Sequence, residues 1–111
     1  MSRLIQNQSV VISSGGTTSG AIDLTGGSTL LGIRLPSAFT GTSVTLTEAP
    51  TLNGTYQAVY DNTGTQITFV AAASRTVLIS PATVIGLRFV KLVSSGAEGA
   101  DRTIQLILKE L

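Results

Sequence analysis

Histidine, cysteine and tryptophan are all absent from the 111 residues of this chain. Without histidine there is no side chain that titrates near neutral pH, and the commonest metal ligand is missing. Without cysteine there is no disulfide, no thiolate nucleophile and no cysteine-based metal site. Charge is scarce as well: Asp, Glu, Lys and Arg make up 12% of the chain, against roughly 25% in an ordinary soluble protein. The seven basic and six acidic residues, a formal net charge of +1, are scattered from Arg3 to Glu110. A nucleic-acid partner needs clustered Lys and Arg with aromatics between them, and only two Tyr and three Phe are present, so none is expected. No apolar run approaches the roughly 20 residues of a membrane-crossing helix, and no membrane partner is expected. The opening stretch MSRLIQNQSVVISSGG has Arg3 but only the short apolar run Val10 to Ile12, so export through a signal peptide is not expected either.

Neutral polar residues stand where the charges are missing. Serine and threonine number 28, and apolar residues make up 42% of the chain. The length is that of one domain, which buries only about two-thirds of its surface on folding. A weakly hydrated, hydroxyl-bearing surface of this kind favours permanent interfaces with partners over life as a free monomer.

Taken in order, residues 1 to 29 read as an extended, polar N-terminal arm with one or two edge strands. Its apolar positions are Leu4, Ile5, Val10 to Ile12, Ile22 and Leu24, and its glycines supply turns. Such an arm packs along the edge of its own sheet or reaches onto a neighbour. From residue 30 to 111 a sandwich core is expected. Leu31, Ile33 and Leu35 share a face of a strand that Pro36 ends, and Pro36 to Gly41 is a turn with Phe39 folded inward. Val44 and Leu46 alternate with Ser43, Thr45 and Thr47 until Ala49-Pro50. Asn53-Gly54 and Asp61-Asn62-Thr63-Gly64 are turns around a Thr55 to Tyr60 strand, and Ile67 and Phe69 carry the return. Arg75 to Ser94, RTVLISPATVIGLRFVKLVS, holds two strand-like runs joined by a turn at Pro81 and reads as a hairpin-like core unit. Its second run is apolar on both faces except for Arg88 and Lys91. A final strand runs from Arg102 to Leu111 with Ile104, Leu106 and Leu108 on one face. About eight or nine short strands near ten residues apart, with no long amphipathic helix, predict an all-β, single-domain antiparallel β-sandwich, jelly-roll-like.

Chemistry is thinly represented. There is no Ser-x-x-Lys and no Gly-x-Ser-x-Gly. Glu98 and Asp101, beside Arg102, are the closest carboxylates, to be read as a salt bridge or turn cap before a paired-acid site. Asp61, Asn62 and Thr63 offer oxygens, but calcium wants six or more ligands and several carboxylates. No catalytic, cofactor or metal residue is therefore assigned, and an enzyme is not expected. Tyr56 and Tyr60 are candidates for a sugar-stacking platform or, more simply, for packing. Arg88 and Lys91 either snorkel to the sheet edge or pair across a subunit interface. Together with Leu4, Ile5, Val10 and Ile12 they are the candidate subunit or capsid contacts.

The middle and end of the chain resemble a known group. Val44-Thr45-Leu46-Thr47-Glu48-Ala49, then Asn53 to Asp61 (NGTYQAVYD), Gly64-Thr65, Gly86 to Gly96 (GLRFVKLVSSG) and Ala100-Asp101-Arg102-Thr103-Ile104 are similar to proteins encoded among the structural genes of tailed bacteriophages. The resemblance spans about residues 30 to 108 and consists of turns and strands. It implies a virion β-sandwich, most like a capsid cement or decoration protein made in the host cytoplasm. Such a protein sits on the outer capsid surface as a homo-oligomer, often a trimer, against the major capsid protein. Phage tail and fibre modules that bind a host-surface carbohydrate or receptor are the alternative it leaves open.

Overall fold

Among the described residues nine strands and one helical turn follow each other as β1 (Gln8–Ile12), β2 (Ile22–Asp23), β3 (Ser28–Arg34), β4 (Ser43–Ala49), β5 (Gln57–Ala58), β6 (Thr68–Val70), β7 (Thr76–Leu78), α1 (Pro81–Val84), β8 (Phe89–Ser94) and β9 (Arg102–Glu110). The computed structural model describes residues 8 to 110, so Leu4 and Ile5 lie outside the described residues. Two antiparallel sheets result. The first has the order β1-β9-β3-β7, and the second β2-β8-β4-β5 with β6 also paired to β4. The fold is a β-sandwich.

The pairing has a simple rule. β1 pairs with β9, β2 with β8, β3 with β7 and β4 with β6, all antiparallel. Each strand from the start thus meets its counterpart from the end, as in one long hairpin rolled up until alternate pairs fall in opposite sheets. That is the jelly-roll arrangement. Its core comes from alternation: Val44 and Leu46 of β4, Val90 and Leu92 of β8, and Ile104, Leu106 and Leu108 of β9 all point between the sheets and are buried. Truncating one of these aliphatic side chains to alanine costs about 2 to 5 kcal/mol.

Several expectations change in three dimensions. Residues 75 to 94 form no hairpin: β7 is an edge strand of the first sheet, and β8 lies inside the second between β2 and β4. The connection between them is α1, with Pro81 at its first position, where the missing N–H costs nothing. β8 is likewise not equally apolar on both faces: Val90 and Leu92 are core, while Phe89, Lys91 and Val93 are half-buried on the outside. In β3 a register shift between Leu30 and Gly32 puts Leu30 rather than Leu31 into the core beside Ile33. The strand expected over Thr55 to Tyr60 shrinks to β5, with one further bridge from Tyr60 to Gln66. Residues 8 to 29 form β1 and β2, an edge strand of each sheet, and Ile12, Ile22 and Leu24 sit in the common core.

Gly32 marks the tightest approach in the first sheet. A Cβ there would lie 2.8 Å from the Val77 carbonyl oxygen and 3.0 Å from Ile107 Cδ1. Because the nearer obstacle is backbone, Gly32→Ala is expected to lower stability by about 1 to 3 kcal/mol. Gly20→Ala, where a Cβ meets nothing within 4 Å, should stay within about 0.5 kcal/mol of the parent. Urea denaturation compares the two; equal midpoints would contradict the close β3–β7 approach.

Candidate functional site

One end of the sandwich gathers the turn Ser13 to Thr17, the loop Pro36 to Thr42 and the loop Ser95 to Asp101. Glu98 joins them. Its backbone N–H donates to Gly16 O at 3.0 Å, and its carbonyl accepts from Gly15 N at 2.7 Å. Its side chain points inward and is fully buried. Oε1 accepts from Thr40 N (3.0 Å) and Arg102 Nε (2.9 Å), and Oε2 from Thr40 Oγ1 (3.0 Å), Gly41 N (3.1 Å) and Ser94 Oγ (3.2 Å). A carboxylate has about four lone-pair positions, so its accepting capacity is filled. Gly41 is needed for this approach, since a Cβ there would collide with Ser94 Oγ.

A buried ionised group is tolerated only when paired and hydrogen-bonded. Burial pushes the Glu98 carboxyl up. The Arg102 guanidinium, the N–H and hydroxyl of Thr40 and the Ser94 hydroxyl outweigh that and hold it below the ordinary glutamate value. Asp101 is turned elsewhere, its Oδ1 accepting from Ser14 N at 2.8 Å. The two neighbouring carboxylates thus make a salt bridge and a turn cap, and no shared site. The sequence pointed to Glu98 and Arg102 by their spacing. It gave no sign of Thr40, Gly41 or Ser94, which reach Glu98 only through the fold.

The other candidates are spread out. Val10 and Ile12, expected at a subunit or capsid interface, are buried in the chain's own core because β1 alternates inward at these positions. Arg88 is exposed at the opposite end, where its Nε donates to Pro50 O at 3.0 Å. Lys91 Nζ stands 4.2 Å from the centroid of the Tyr56 ring, a cation–π contact. Both cations therefore have partners within the chain, supplied by the segment after β4. The same contact takes up one face of Tyr56, whose hydroxyl donates to Leu52 O at 2.8 Å and whose ring is half-buried. Tyr60 is 56% exposed. Beside it Asp61 closes its turn as expected: Oδ1 accepts from Thr63 Oγ1 (2.6 Å), Thr63 N (2.8 Å) and Thr65 N (3.0 Å), and Gly64 adopts φ +89°. The Thr63 hydroxyl and then the Thr65 and Thr63 amides hold its carboxyl below the ordinary aspartate value. Among the described residues no three His, Cys, Asp or Glu side chains gather as a metal site would require.

Acid should open this end of the molecule. With its folded value depressed, Glu98 contributes stability that is fully present above the ordinary glutamate value and is lost as pH falls through it toward the folded one. Glu98→Gln is expected to cost about 3 kcal/mol at neutral pH, because an amide N–H2 would face a backbone donor and Arg102 would lose its partner. The variant should also lose less stability than the parent between pH 5 and pH 3, a difference that removes the parallel effects of Asp61 and of Asp23, whose carboxyl the Thr25 hydroxyl and amide hold below the ordinary aspartate value. Parallel curves for the two proteins would contradict a charged, donor-filled Glu98. Comparison with known proteins finds no matching family model, no matching curated protein and no matching solved structure.

Proposed function

We propose that the chain is a head decoration, or cement, protein of a tailed-bacteriophage capsid. It binds the major capsid protein on the outer surface of the shell as a homotrimer and stabilises the shell against the pressure of packaged DNA. The observation that carries this reading is a weakly charged sandwich with large apolar side chains turned outward: Leu78 is 76% exposed, Val70 71% and Ile85 62%. Exposed apolar side chains of this size, set among hydroxyl-bearing neighbours, suit contacts made once and kept. The sequence resemblance described above supports the same reading.

The two outer faces differ. On the second sheet the segment after β4 folds back, bringing Tyr56 against Lys91 and Gly54 close to Ala49. On the first sheet the outward residues Val11, Leu78, Arg34, Thr103 and Gln105 have no such cover among the described residues, which favours this face for docking. A tail module that binds a host glycan has less support, since Lys91 takes up one face of Tyr56 and only Tyr60 is largely exposed.

Purified protein added to shells that lack it should bind at saturable sites and raise the temperature at which the shells release DNA. Light scattering should give a trimer. Leu78→Asp, on an edge strand where folding tolerates the change, should weaken shell binding about tenfold or more. Absence of shell binding, equal stability of shells with and without the protein, or labelling of tails in electron micrographs would each remove the proposal.

A further inference from the structure

A cleft of about 280 Å³ opens on the outer face of the first sheet, lined by Arg34, Leu35, Pro36, Thr103 and Gln105. The register builds it. Arg34 of β3 lies opposite Gln105 of β9, and Thr103 is two residues earlier on the same face of β9. Leu35 and Pro36 carry the chain off the sheet and supply the apolar wall. The converging polar groups are a guanidinium with five N–H donors, a hydroxyl and a carboxamide. The one ion pair among the described residues is Arg102 with Glu98, so Arg34 has no acidic partner there.

The charges of the sandwich are unevenly placed. Asp23 ends β2 and Glu48 lies in β4, both of the second sheet, while Asp61 sits in the turn after β5. Glu98 is buried, and Asp101 is held by Ser14 N. Around the first sheet the described charged side chains are mostly cationic: Arg34, Lys109 on the same face of β9, and Arg75, whose carbonyl accepts from Leu35 N at 2.8 Å, with Asp101 just before β9 the exposed carboxylate. With no carboxylate among the described residues paired to Arg34, the local field favours an anion.

We infer that this cleft binds a carboxylate presented by an acidic side chain of a partner protein. One arginine flanked by two neutral donors matches a single planar negative charge, whereas phosphate sites collect several cations or a cradle of backbone N–H groups. The volume falls just under the roughly 300 to 1,000 Å³ of pockets that take whole small molecules, and it suits one inserted side chain. No aromatic ring lines it, so the stacking surface of a sugar-acid site is missing. Next along the same face, Leu78 and Ile107 meet across Gly32, an apolar anchor beside an arginine in the manner of a protein interface. The chemistry of the cleft is independent of the capsid reading, which would only name the partner.

The test uses the isolated full chain, labelled with ¹⁵N and titrated at low salt with the capped peptide acetyl-Gly-Glu-Gly-amide. Parallel titrations use the Gln analogue, inorganic phosphate and N-acetylneuraminic acid. The expected result is saturable shifts at Arg34, Thr103 and Gln105 with the Glu peptide, at millimolar affinity. Binding should be about fivefold or more weaker with the Gln peptide and in Arg34→Gln, and unchanged in Arg88→Gln on the other sheet. Arg34 is exposed, and the variant's spectrum verifies that it folds. Absence of shifts, equal shifts with both peptides, or tighter binding of phosphate or the sugar acid would overturn the assignment. Shell binding enters none of these measurements, so the capsid reading stands or falls separately.

Discussion

One buried negative charge governs how this molecule closes. The Glu98 carboxylate lies out of water and must be met by donors on both oxygens, and they come from Thr40, Gly41, Ser94 and Arg102. Ser94 and Arg102 are four residues away on either side, but Thr40 and Gly41 come near Glu98 only when the loop between β3 and β4 is in place beside β8 and β9. The desolvation cost that makes an unpaired carboxylate intolerable thus also makes the filled one selective: few other packings of the chain satisfy it. The backbone of Glu98 extends the constraint by tying the turn at Gly15 and Gly16 to the same point. Three connections at one end are held by a single residue, with little help from aromatic packing in a chain that has few aromatics.

The rolled-hairpin topology explains why such a clasp matters. β1 and β9 come from opposite ends of the sequence, and β2 with β8 repeats the problem one layer in. Pairings this distant gain nothing until the loop between them has been closed, so they are slow to form and depend on one another. A charge network at the end where three connections meet fixes the relative position of both sheets. Aliphatic alternation fills the space between them and fixes which face of each strand turns inward.

A second consequence falls on the surface. The few charges are divided, with most described carboxylates on or near the second sheet or spent on turns and the clasp, and the cations Arg34, Arg75 and Lys109, without an ion pair among the described residues, around the first. Apolar side chains such as Leu78 sit between these cations. The outer face of the first sheet therefore combines the two properties, apolar anchors and unmatched positive charge, that distinguish an interface from ordinary wet surface. The second sheet spends its cations internally, Lys91 on Tyr56 and Arg88 on Pro50 O.

The sequence by itself determined the class of fold and much of its local detail. Period-two alternation in Ser43 to Ala49 and Ile104 to Leu108, the stops at Pro36 and Pro50, the Asp61 turn and the inward Phe39 all follow from short-range sterics and burial, which adjacent residues encode. Only the tertiary structure decided which strands pair. Residues 75 to 94 read as a hairpin because two apolar runs flank a proline, yet the runs belong to different sheets. Val10 and Ile12 looked available for a partner, but they point into the core between the two sheets. The Thr40 and Gly41 donors on Glu98 and the cleft at Arg34 were equally hidden, since each joins residues tens of positions apart. The reason is physical: alternation states that a strand has a buried face, but what lies against that face, and which charges share a space, depends on packing across the whole chain.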